Sequence, residues 1–560
     1  METSNPPNSA MGSHSTRSKV LMDEKEENNV PEYLQGAKLW LVMAGTSLVV
    51  FVQFLDGSIL SPAIPNITDE FNSLHDIGWY GSAYFIASTV FQPIAGKVYT
   101  FLPTKWSLMA FILLFALGSL ICGIADSSMI LIVGRAVAGL GGSGLLIGNQ
   151  TVIAGLAPIE KRPDTKATLH MASNYLANTW VTITVAAPGM LLGPIVGGVI
   201  TEYSTWRWTV FYMNLPIGFA AILLLAFMRI PEQTTKPPWW EVICHFYRYF
   251  DILGCILCAG ATTSLLLALN MGGEKIAWNS PTCIGMFVSS GVLFILFCAW
   301  NARIGDKALI PASVAKQRVV WSGAATLMFT IGATTVQSYF LPLYFQSVRG
   351  KSPMTGALYT LPGLPGQIFF SLLSGFLIGK MGHYLPWAIV GTALHTMACS
   401  LMSRFSPTTP TAEWVSSQFL AGCGRGMSLQ SPSIAIQAAL AQDQISIASS
   451  TLTFGMYFGS AIASTAASVT FDSMLRAKVE ERFANATVVE TILNVGATSF
   501  RKSFSGEDLA GILGAYSESI QVVFLLAAGL SALSIPFAWG MGSFKVNVKK
   551  SEKGKKAAGA

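Results

Sequence analysis

The chain has 560 residues, of which 52% are hydrophobic and only 11% are charged, whereas soluble domains carry about one quarter charged residues. This composition excludes an ordinary soluble protein. Because apolar runs of about 20 residues recur along the chain, the sequence predicts an all-α polytopic membrane protein. The net charge of +6 comes from basic residues in loops and in the C-terminal tail. We therefore expect the lipid bilayer as a partner and no nucleic acid.

Fourteen candidate spans follow one another, so both termini are expected on one side of the membrane. Lys and Arg are more frequent in the short loops of that side and in both tails, which predicts cytoplasmic termini. The polar start of the chain has no apolar core, so no cleavable signal peptide is expected. The predicted spans are 39–60, 78–98, 106–125, 129–153, 170–200, 208–230, 251–271, 281–301, 319–343, 354–379, 386–402, 413–440, 444–471 and 519–540.

The two halves of the chain resemble each other weakly. Arg135-x-x-x-Gly139-x-Gly141 in the fourth span matches Gln418-x-x-x-Gly422-x-Gly424 in the twelfth, which favours two six-helix bundles with spans seven and eight inserted between them. The predicted organisation is a disordered cytoplasmic tail at 1–38, a first bundle at 39–230, an interfacial linker with spans seven and eight at 231–318, a second bundle at 319–540 that includes a long outside loop at 472–518, and a basic cytoplasmic tail at 541–560.

A glycine-rich stretch, APGMLLGPIVGGVI at 187–200, lies at the end of the fifth span. Gly189, Gly193 and Gly197 recur every four residues, so in a helix they form a face without side chains that another helix backbone can approach closely. Gly198 widens this face. Pro194 removes one helical hydrogen bond and permits a bend. We interpret the stretch as a pivot between the two bundles; ordinary helix packing is the alternative.

Three charged residues lie well inside the spans, where each costs at least about 2.5–3.5 kcal/mol. Asp56 in the first span and Arg135 in the fourth are expected within roughly 3 Å of each other in depth, from a rise of 1.5 Å per residue. Gln53 shares the face of Asp56. Arg425 lies near the middle of the twelfth span, and it either faces a water-filled cavity or pairs with a partner that the sequence does not identify.

Other polar residues point to a substrate cavity and to glycosylation. The predicted cavity groups are Gln53, Gln337, Tyr339, Arg425 and Gln430, each of which could equally join two helices. The sequons at Asn66 and Asn485 fall on the side opposite the termini and are predicted glycosylation sites.

Catalytic and redox sites are not indicated. The sequence contains no metal-ligand cluster, nucleotide-binding loop or catalytic triad, so we expect neither an enzyme nor a cofactor. Cys255 and Cys258 form a C-x-x-C inside a span, where we interpret them as packing residues.

Several stretches together resemble the fourteen-span drug:proton antiporter branch of the major facilitator superfamily, in particular fungal pumps that export toxins and secondary metabolites. They are GxxxGPxxGG at 189–198, LDGSILSPAIPNITDEF at 55–71, DIGWYGSAY at 76–84, GRAVAGLGGSG at 134–144, TWRWTVFYMNLPIG at 205–218, LAGCGRGMSLQSP at 420–432 and AYSESIQVVF at 515–524. Four features depart from the family pattern: Trp180 replaces a glycine, Thr100 replaces an Asp, Arg425 replaces a neutral residue, and the segment 164–192 is unusually long.

The resemblance implies a monomeric exporter of small, mostly apolar molecules such as toxins, secondary metabolites or drugs, driven by the proton gradient through alternating access. It implies Asp56 as the proton-binding carboxylate and Arg135 as the cation that tunes it; a static ion pair is the alternative. The expected location is the plasma membrane, with the vacuolar or a vesicle membrane as alternatives. An importer of the same fold, such as a siderophore transporter, and a non-transporting membrane sensor are the rival functions.

Overall fold

The computed structural model is built of helices. It describes residues 37–543, except 72, 74–75, 157–188, 190–192, 194, 198, 200–204, 208–210, 229, 231, 233–235, 273–275, 441 and 484–499. The helices that build the two halves and the linker between them are α1 (Ala37–Phe71), α2 (Ile77–Phe101), α3 (Thr104–Gly123), α4 (Ser128–Leu156), α5 (Asn214–Ala226), α6 (Ile252–Met271), α7 (Pro281–Ile304), α8 (Arg318–Leu343), α9 (Pro353–Leu358), α10 (Gly363–Met381), α11 (Leu385–Met402), α12 (Thr411–Ser428), α13 (Ser431–Ala439), α14 (Gln442–Arg482) and α15 (Gly506–Gly540).

Short helices connect some of these elements. Trp239–Cys244 and Phe246–Tyr249 lie in the linker before α6, where the sequence predicts an interfacial segment. The other short pieces are the 3₁₀ turn Gly305–Lys307, the helix Ala312–Ala315, the π-helical turn Tyr344–Val348 and the helix Phe500–Ser503.

Ten of the described helical segments combine enough length and apolar character to cross a bilayer. The predicted spans at 78–98, 208–230 and 413–440 correspond to α2, to the shorter α5 and to α12 with α13, which fall outside those ten. Most of the predicted span 170–200 lies outside the described residues, although positions 189, 193, 195–197 and 199 are helical. The count of fourteen therefore stays a prediction.

The two halves repeat the same contacts, as the sequence repeat predicts. In the first half Arg135 Nε donates to the carbonyl of Tyr80, at 3.1 Å. In the second half Gln418 Nε2 donates to the carbonyl of Tyr359, at 3.0 Å. Four residues further along each helix, a Cβ on Gly139 would collide with the carbonyl of Tyr84, and a Cβ on Gly422 would collide with the carbonyl of Gly363. Small residues thus hold α4 on α2 and α12 on α10 at backbone distance.

The helix ends differ from the predicted spans in two ways. First, α14 has 41 residues and α15 has 35, so at 1.5 Å per residue each is about 50–60 Å long, well beyond a bilayer core of about 30 Å. α14 and α15 therefore include the first and the last residues of the segment 472–518, which the sequence predicts as an outside loop. Arg482 and Lys478 on α14 form ion pairs with Glu518 on α15, which stabilises the helical extensions against each other.

Second, two predicted spans are broken. The segment 354–379 divides into α9 and α10 around Pro362, and 413–440 divides into α12 and α13 before Pro432. Proline lacks the N–H that a continuous helix needs. Gln430 lies at this second break, as the residue that precedes α13.

One helix of the linker, α6, connects the halves. Helix α6 contacts α2 of the first half and α14 of the second. At its end, Asn270 Nδ2 donates to Ser82 Oγ on α2 at 2.9 Å and to Thr465 Oγ1 on α14 at 3.4 Å. The linker therefore joins both halves through side-chain hydrogen bonds as well as by chain connection.

Candidate proton-coupling site

The first and fourth spans place an ion pair in the core of the first half. Arg135 Nη1 lies 2.8 Å from Asp56 Oδ2, and both side chains are at most 2% exposed. The structure thus brings together the two charges that the sequence places at one depth. The environment disfavours an isolated charge, so the pair is the main compensation for both groups.

Three groups fix the guanidinium of Arg135 in one orientation. Its Nη1 donates to Asp56, its Nε donates to the carbonyl of Tyr80, and its Cζ lies 4.8 Å from the centre of the Tyr84 ring. The planar fork of arginine can meet these partners at the same time, whereas a lysine ammonium cannot reproduce this arrangement. Helix α2 supplies both tyrosines.

The second carboxylate oxygen of Asp56 also has a partner, which sequence reasoning missed. Asn214 Nδ2, at the start of α5, donates to Asp56 Oδ1 at 3.0 Å and to Ser119 Oγ on α3 at 3.2 Å. Asn214 is 1% exposed. The sequence feature that could have identified Asn214 is its amide side chain at the start of an apolar run, within the stretch 205–218 that resembles the family.

A neighbouring polar cluster reaches the other half of the molecule. Gln53 Nε2, one helical turn before Asp56, donates to the carbonyl of Gly142 at 3.0 Å and to the hydroxyl of Tyr457 on α14. Tyr457 also packs edge-on against Tyr84, with 6.3 Å between ring centres. Within the described chain, Gln53 Oε1 and the Tyr84 hydroxyl are buried and have no hydrogen-bond partner.

A second contact between the halves lies near the ion pair. Tyr339 on α8 packs against the apolar cluster that contains Leu55 and Ile59. A Cβ on Gly81 would collide with the Tyr339 hydroxyl. Tyr339 is also within electrostatic range of Arg135. Tyrosines from two helices of the second half, α8 and α14, thus lie close to the Asp56–Arg135 pair.

Two glycines of the predicted pivot lie against α1, and the role of this face as a pivot between bundles stays a prediction. A Cβ on Gly189 would lie 2.8 Å from the carbonyl oxygen of Phe51, and one on Gly193 would collide with Ser58 Oγ. Ser58 Oγ donates to the carbonyl of Gly189 at 3.3 Å. Both described contacts are therefore with α1, a helix of the same half. The backbone of α1 can approach closely because the glycine face has no side chains. The two contacts lie on either side of Asp56 along α1.

The other predicted residues are distributed as follows. Gln337 Nε2 contacts Cys399 Sγ at 2.7 Å and His395 Nε2 at 3.3 Å, in the second half. Arg425 lies on α12, apart from the Asp56 pair. Gly197 is helical and buried. Asn66 is half-buried within α1.

Some predicted residues lie outside the described part of the chain. They are Pro194, Gly198 and Asn485. Glycosylation at either sequon stays a prediction. Across the described residues, no group of His, Cys, Asp or Glu is arranged to hold a metal ion.

A comparison with protein-family models identifies the family of this chain. A family model described as Major Facilitator Superfamily matches residues 46–464. The chain belongs to the major facilitator superfamily. This family makes it a multi-pass membrane transporter rather than an enzyme, with a small-molecule substrate and a lipid environment.

The similarity to curated transporters extends over nearly the whole chain. The chain is 42% identical to the MFS-type transporter pigP of Monascus ruber over 91% of this chain and 87% of that one. It is 41% identical to the efflux pump mlcE of Penicillium citrinum over 92% of each. It is 35% identical to the efflux pump aflT of Aspergillus parasiticus over 93% of this chain and 98% of that one.

Solved structures share the fold of this facilitator at low sequence identity. A bacterial homologue of the human lysosomal transporter Spinster, in an inward-facing and unoccupied conformation, aligns with a TM-score of 0.58 at 12% identity, over 91% of this chain and 98% of that one. The nucleoside transporter NupG aligns with a TM-score of 0.53 at 13% identity, over 90% of this chain and all of that one.

Proposed function

We propose that this transporter exports small, mostly apolar molecules, such as secondary metabolites, toxins or drugs, in exchange for protons. The observation that carries the proposal is the buried Asp56–Arg135 pair with Asn214 on the second carboxylate oxygen. Similar chains that are named efflux pumps support the direction of transport.

The contacts of Asp56 suggest how a proton would act. Protonation removes the negative charge that holds Arg135 Nη1. Arg135 is then held by the Tyr80 carbonyl and the Tyr84 ring, both on α2.

Helix α2 connects this event to the interface between the halves. It packs along α14, and the rings of Tyr84 and Phe85 contact Tyr457. Arg135 contacts Asp56 through Nη1 and the backbone of α2 through Nε. A proton on Asp56 weakens the first contact and therefore biases how α2 packs against the second half. This is the local packing change that a two-state transporter requires, and an exporter would use proton entry to return the empty carrier.

We further propose cytoplasmic termini, a monomer and a plasma-membrane location, with the vacuolar or a vesicle membrane as alternatives. The excess of Lys and Arg in the loops and tails on the terminal side supports the orientation. The energy source would be the proton gradient, without a cofactor.

Transport in inverted vesicles tests the function. With purified vesicles of known orientation, hydrophobic fluorescent probes from a panel that includes neutral and carboxylate-bearing members should accumulate when the lumen is acid, and a protonophore should abolish their accumulation. Asp56→Asn should remove the gradient-driven part. Gradient-driven movement in the opposite direction would establish an importer instead, and the absence of gradient-driven transport for a panel of apolar probes would favour a sensor.

A further inference from the structure

A second arginine inside a predicted span, the half-buried Arg425, lacks the acid that Arg135 has. Arg425 lies on α12, near the middle of a predicted span. Within the described residues it forms no ion pair, and its Nε is buried without a hydrogen-bond partner. An uncompensated cation in the core of a membrane protein is expensive, and such residues commonly serve substrate or ion pathways.

The groups around Arg425 are polar but do not neutralise it. His395 and Cys399 on α11 are within electrostatic range of its guanidinium. His395 Nδ1 contacts Ser531 Oγ at 3.0 Å, and its Nε2 faces the amide nitrogen of Gln337. Both ring nitrogens of His395 therefore lie against neutral side chains, neither of which supplies a negative charge for Arg425.

The guanidinium also lies at a broken helix. Helix α9 ends at Leu358 and α10 begins at Gly363, inside one apolar segment. A methyl group on Gly363 would lie 3.1 Å from Arg425 Nη2. About two turns earlier on α12, Gln418 is 2% exposed, and its Oε1 is buried without a hydrogen-bond partner in the described chain. Transporters place substrate groups at interrupted helices of this kind, where backbone groups are released from helical pairing.

The fold itself does not require this charge. The repeated contacts align Arg135 with Gln418, so the position equivalent to Arg425, seven residues further, is Gly142 in the first half. The same packing of helices is therefore built there without a side chain. The cation at position 425 is an addition to the scaffold, which favours a role in recognition.

We propose that Arg425 binds a carboxylate group of the transported molecule, so that the cargo class is apolar molecules bearing one acidic group. This rests on the proposed transport function. The carboxylate would supply the counter-ion that the described chain lacks, through charge-assisted hydrogen bonds from the guanidinium. Gln418 Oε1 only accepts hydrogen bonds, so it would meet a donor group elsewhere on the cargo and not the carboxylate.

Binding of a matched acid and ester tests the proposal. We would measure energy transfer from tryptophan to 1-pyrenebutyrate and to its methyl ester, using the purified full chain in nanodiscs. Wild type should bind the acid at least about tenfold more tightly than the ester, a difference of about 1.4 kcal/mol. Arg425→Gln should weaken binding of the acid to the level of the ester and leave the ester unchanged. Arg425→Lys should retain part of the preference.

The matched control is Arg404→Gln, which removes an exposed arginine of the same half and should leave the preference intact. Equal binding of acid and ester by wild type, failure of wild type to bind the acid, or an unchanged preference in Arg425→Gln would each overturn the proposal. Because binding requires no gradient, an acid preference in a protein without proton-driven export would separate this inference from the failure of the proposed function.

Discussion

At the scale of single residues, the central question is whether Asp56 carries a proton or only pairs with Arg135. The geometry satisfies both oxygens of the carboxylate, through Arg135 and Asn214. A static pair and a proton site predict different behaviour when both charges are removed together, because only a proton site needs a group that titrates.

The first prediction uses that difference. Asp56→Asn should abolish proton-driven transport, and it should lower stability because it leaves Arg135 buried without its acid; breaking such a pair costs about 3–5 kcal/mol. The double variant Asp56→Asn/Arg135→Gln should regain stability and stay unable to couple transport to protons. Thermal unfolding and vesicle transport measure the two effects. Proton-driven transport by the double variant would identify a static pair.

The second prediction concerns the shape of the cation. Arg135→Lys keeps the charge but loses the fork that reaches Asp56 and the Tyr80 carbonyl together. We expect folded protein at the membrane with proton-driven transport reduced by at least about tenfold, since one charge-assisted hydrogen bond contributes about 1.5–3 kcal/mol. The exposed Arg303 provides the control, because Arg303→Lys should transport normally. Wild-type coupling in Arg135→Lys would show that charge alone suffices.

Sequence reasoning reached the ion pair and named Gln53 and Tyr339 nearby, but it missed the direct partners of the pair. Counting residues along two spans matched the depths of Asp56 and Arg135, because the rise of a helix is constant. Asn214, Tyr80 and Tyr84 were missed, since the face that each presents depends on how three or more helices pack. The rotation of a helix about its own axis cannot be predicted from one apolar segment, because the faces of such a helix hardly differ in polarity.

At the scale of elements, Gly189 and Gly193 in the stretch at 187–200 position α1. Gly189 approaches Phe51 and Gly193 approaches Ser58, and Asp56 lies between these two contacts. Any outward movement of α1 there moves Asp56 relative to Arg135. The glycine face thus acts on coupling through the position of one helix.

The third prediction tests this contact. Gly193→Ala adds a methyl group that collides with Ser58 Oγ, and overpacking of this kind costs about 1–3 kcal/mol. We expect proton-driven transport to fall several-fold while the protein still reaches the membrane. The control is Gly57→Ala on α1 itself, where an added Cβ meets nothing within 4 Å. If Gly193→Ala and Gly57→Ala behave alike, the close approach of the two helices has no role in coupling.

The fourth prediction concerns the end of α1. Glu70 lies beyond the apolar span and accepts hydrogen bonds from Trp206 and Arg207, while Arg207 Nη2 also donates to the carbonyl of Ala125. Burial raises the pKa of Glu70, but the hydrogen bonds and the charge of Arg207 outweigh it and hold the pKa below its ordinary value of 4.5. The charged carboxylate therefore stabilises the folded state above that value, and this contribution is lost as the pH falls through the lowered pKa.

Thermal unfolding at two pH values measures this effect. Between pH 6 and pH 3, the unfolding temperature of wild type should fall more than that of Glu70→Gln, which has no charge to lose. Because Glu70 is 43% exposed, the difference should be small and should shrink in high salt. Equal falls in the two proteins would show that this ion pair does not contribute to stability.

The predicted elements were accurate where a span is regular and failed where it is not. Most spans appear as helices near their predicted bounds, because a long apolar segment has few alternatives in a membrane. The breaks at Pro362 and before Pro432 were missed, since a proline also occurs within unbroken helices such as α2 and α8. The extensions of α14 and α15 were missed because their ion pairs join residues far apart in sequence.

At the scale of the whole molecule, α2 and α14 form the main described contact between the halves. Along their length the contacts run from Ser82 and Thr465, bridged by Asn270, through Tyr84 and Tyr457, to Gly96 and Ser450. Alternating access requires the halves to move against each other as rigid bodies. At least one end of this contact must therefore open during each cycle.

The fifth prediction locks one end of that contact. A Cβ on Gly96 would lie 2.7 Å from the Cβ of Ser450, so a disulfide, which needs about 3.5–4.5 Å, requires the helices to separate by only about 1 Å. In Gly96→Cys/Ser450→Cys, with the exposed Cys244 and Cys298 replaced by serine, oxidation should abolish transport and a reductant should restore it. A disulfide between Thr335→Cys and Ser460→Cys, whose hydroxyl oxygens lie 3.0 Å apart within the second half, should leave transport intact because those helices move together. Each single cysteine variant controls for the substitution itself. Unchanged transport with the Gly96–Ser450 bridge fully formed would mean that α2 and α14 stay in contact at this end throughout the cycle, and the opening would then have to occur at the end near Asn270.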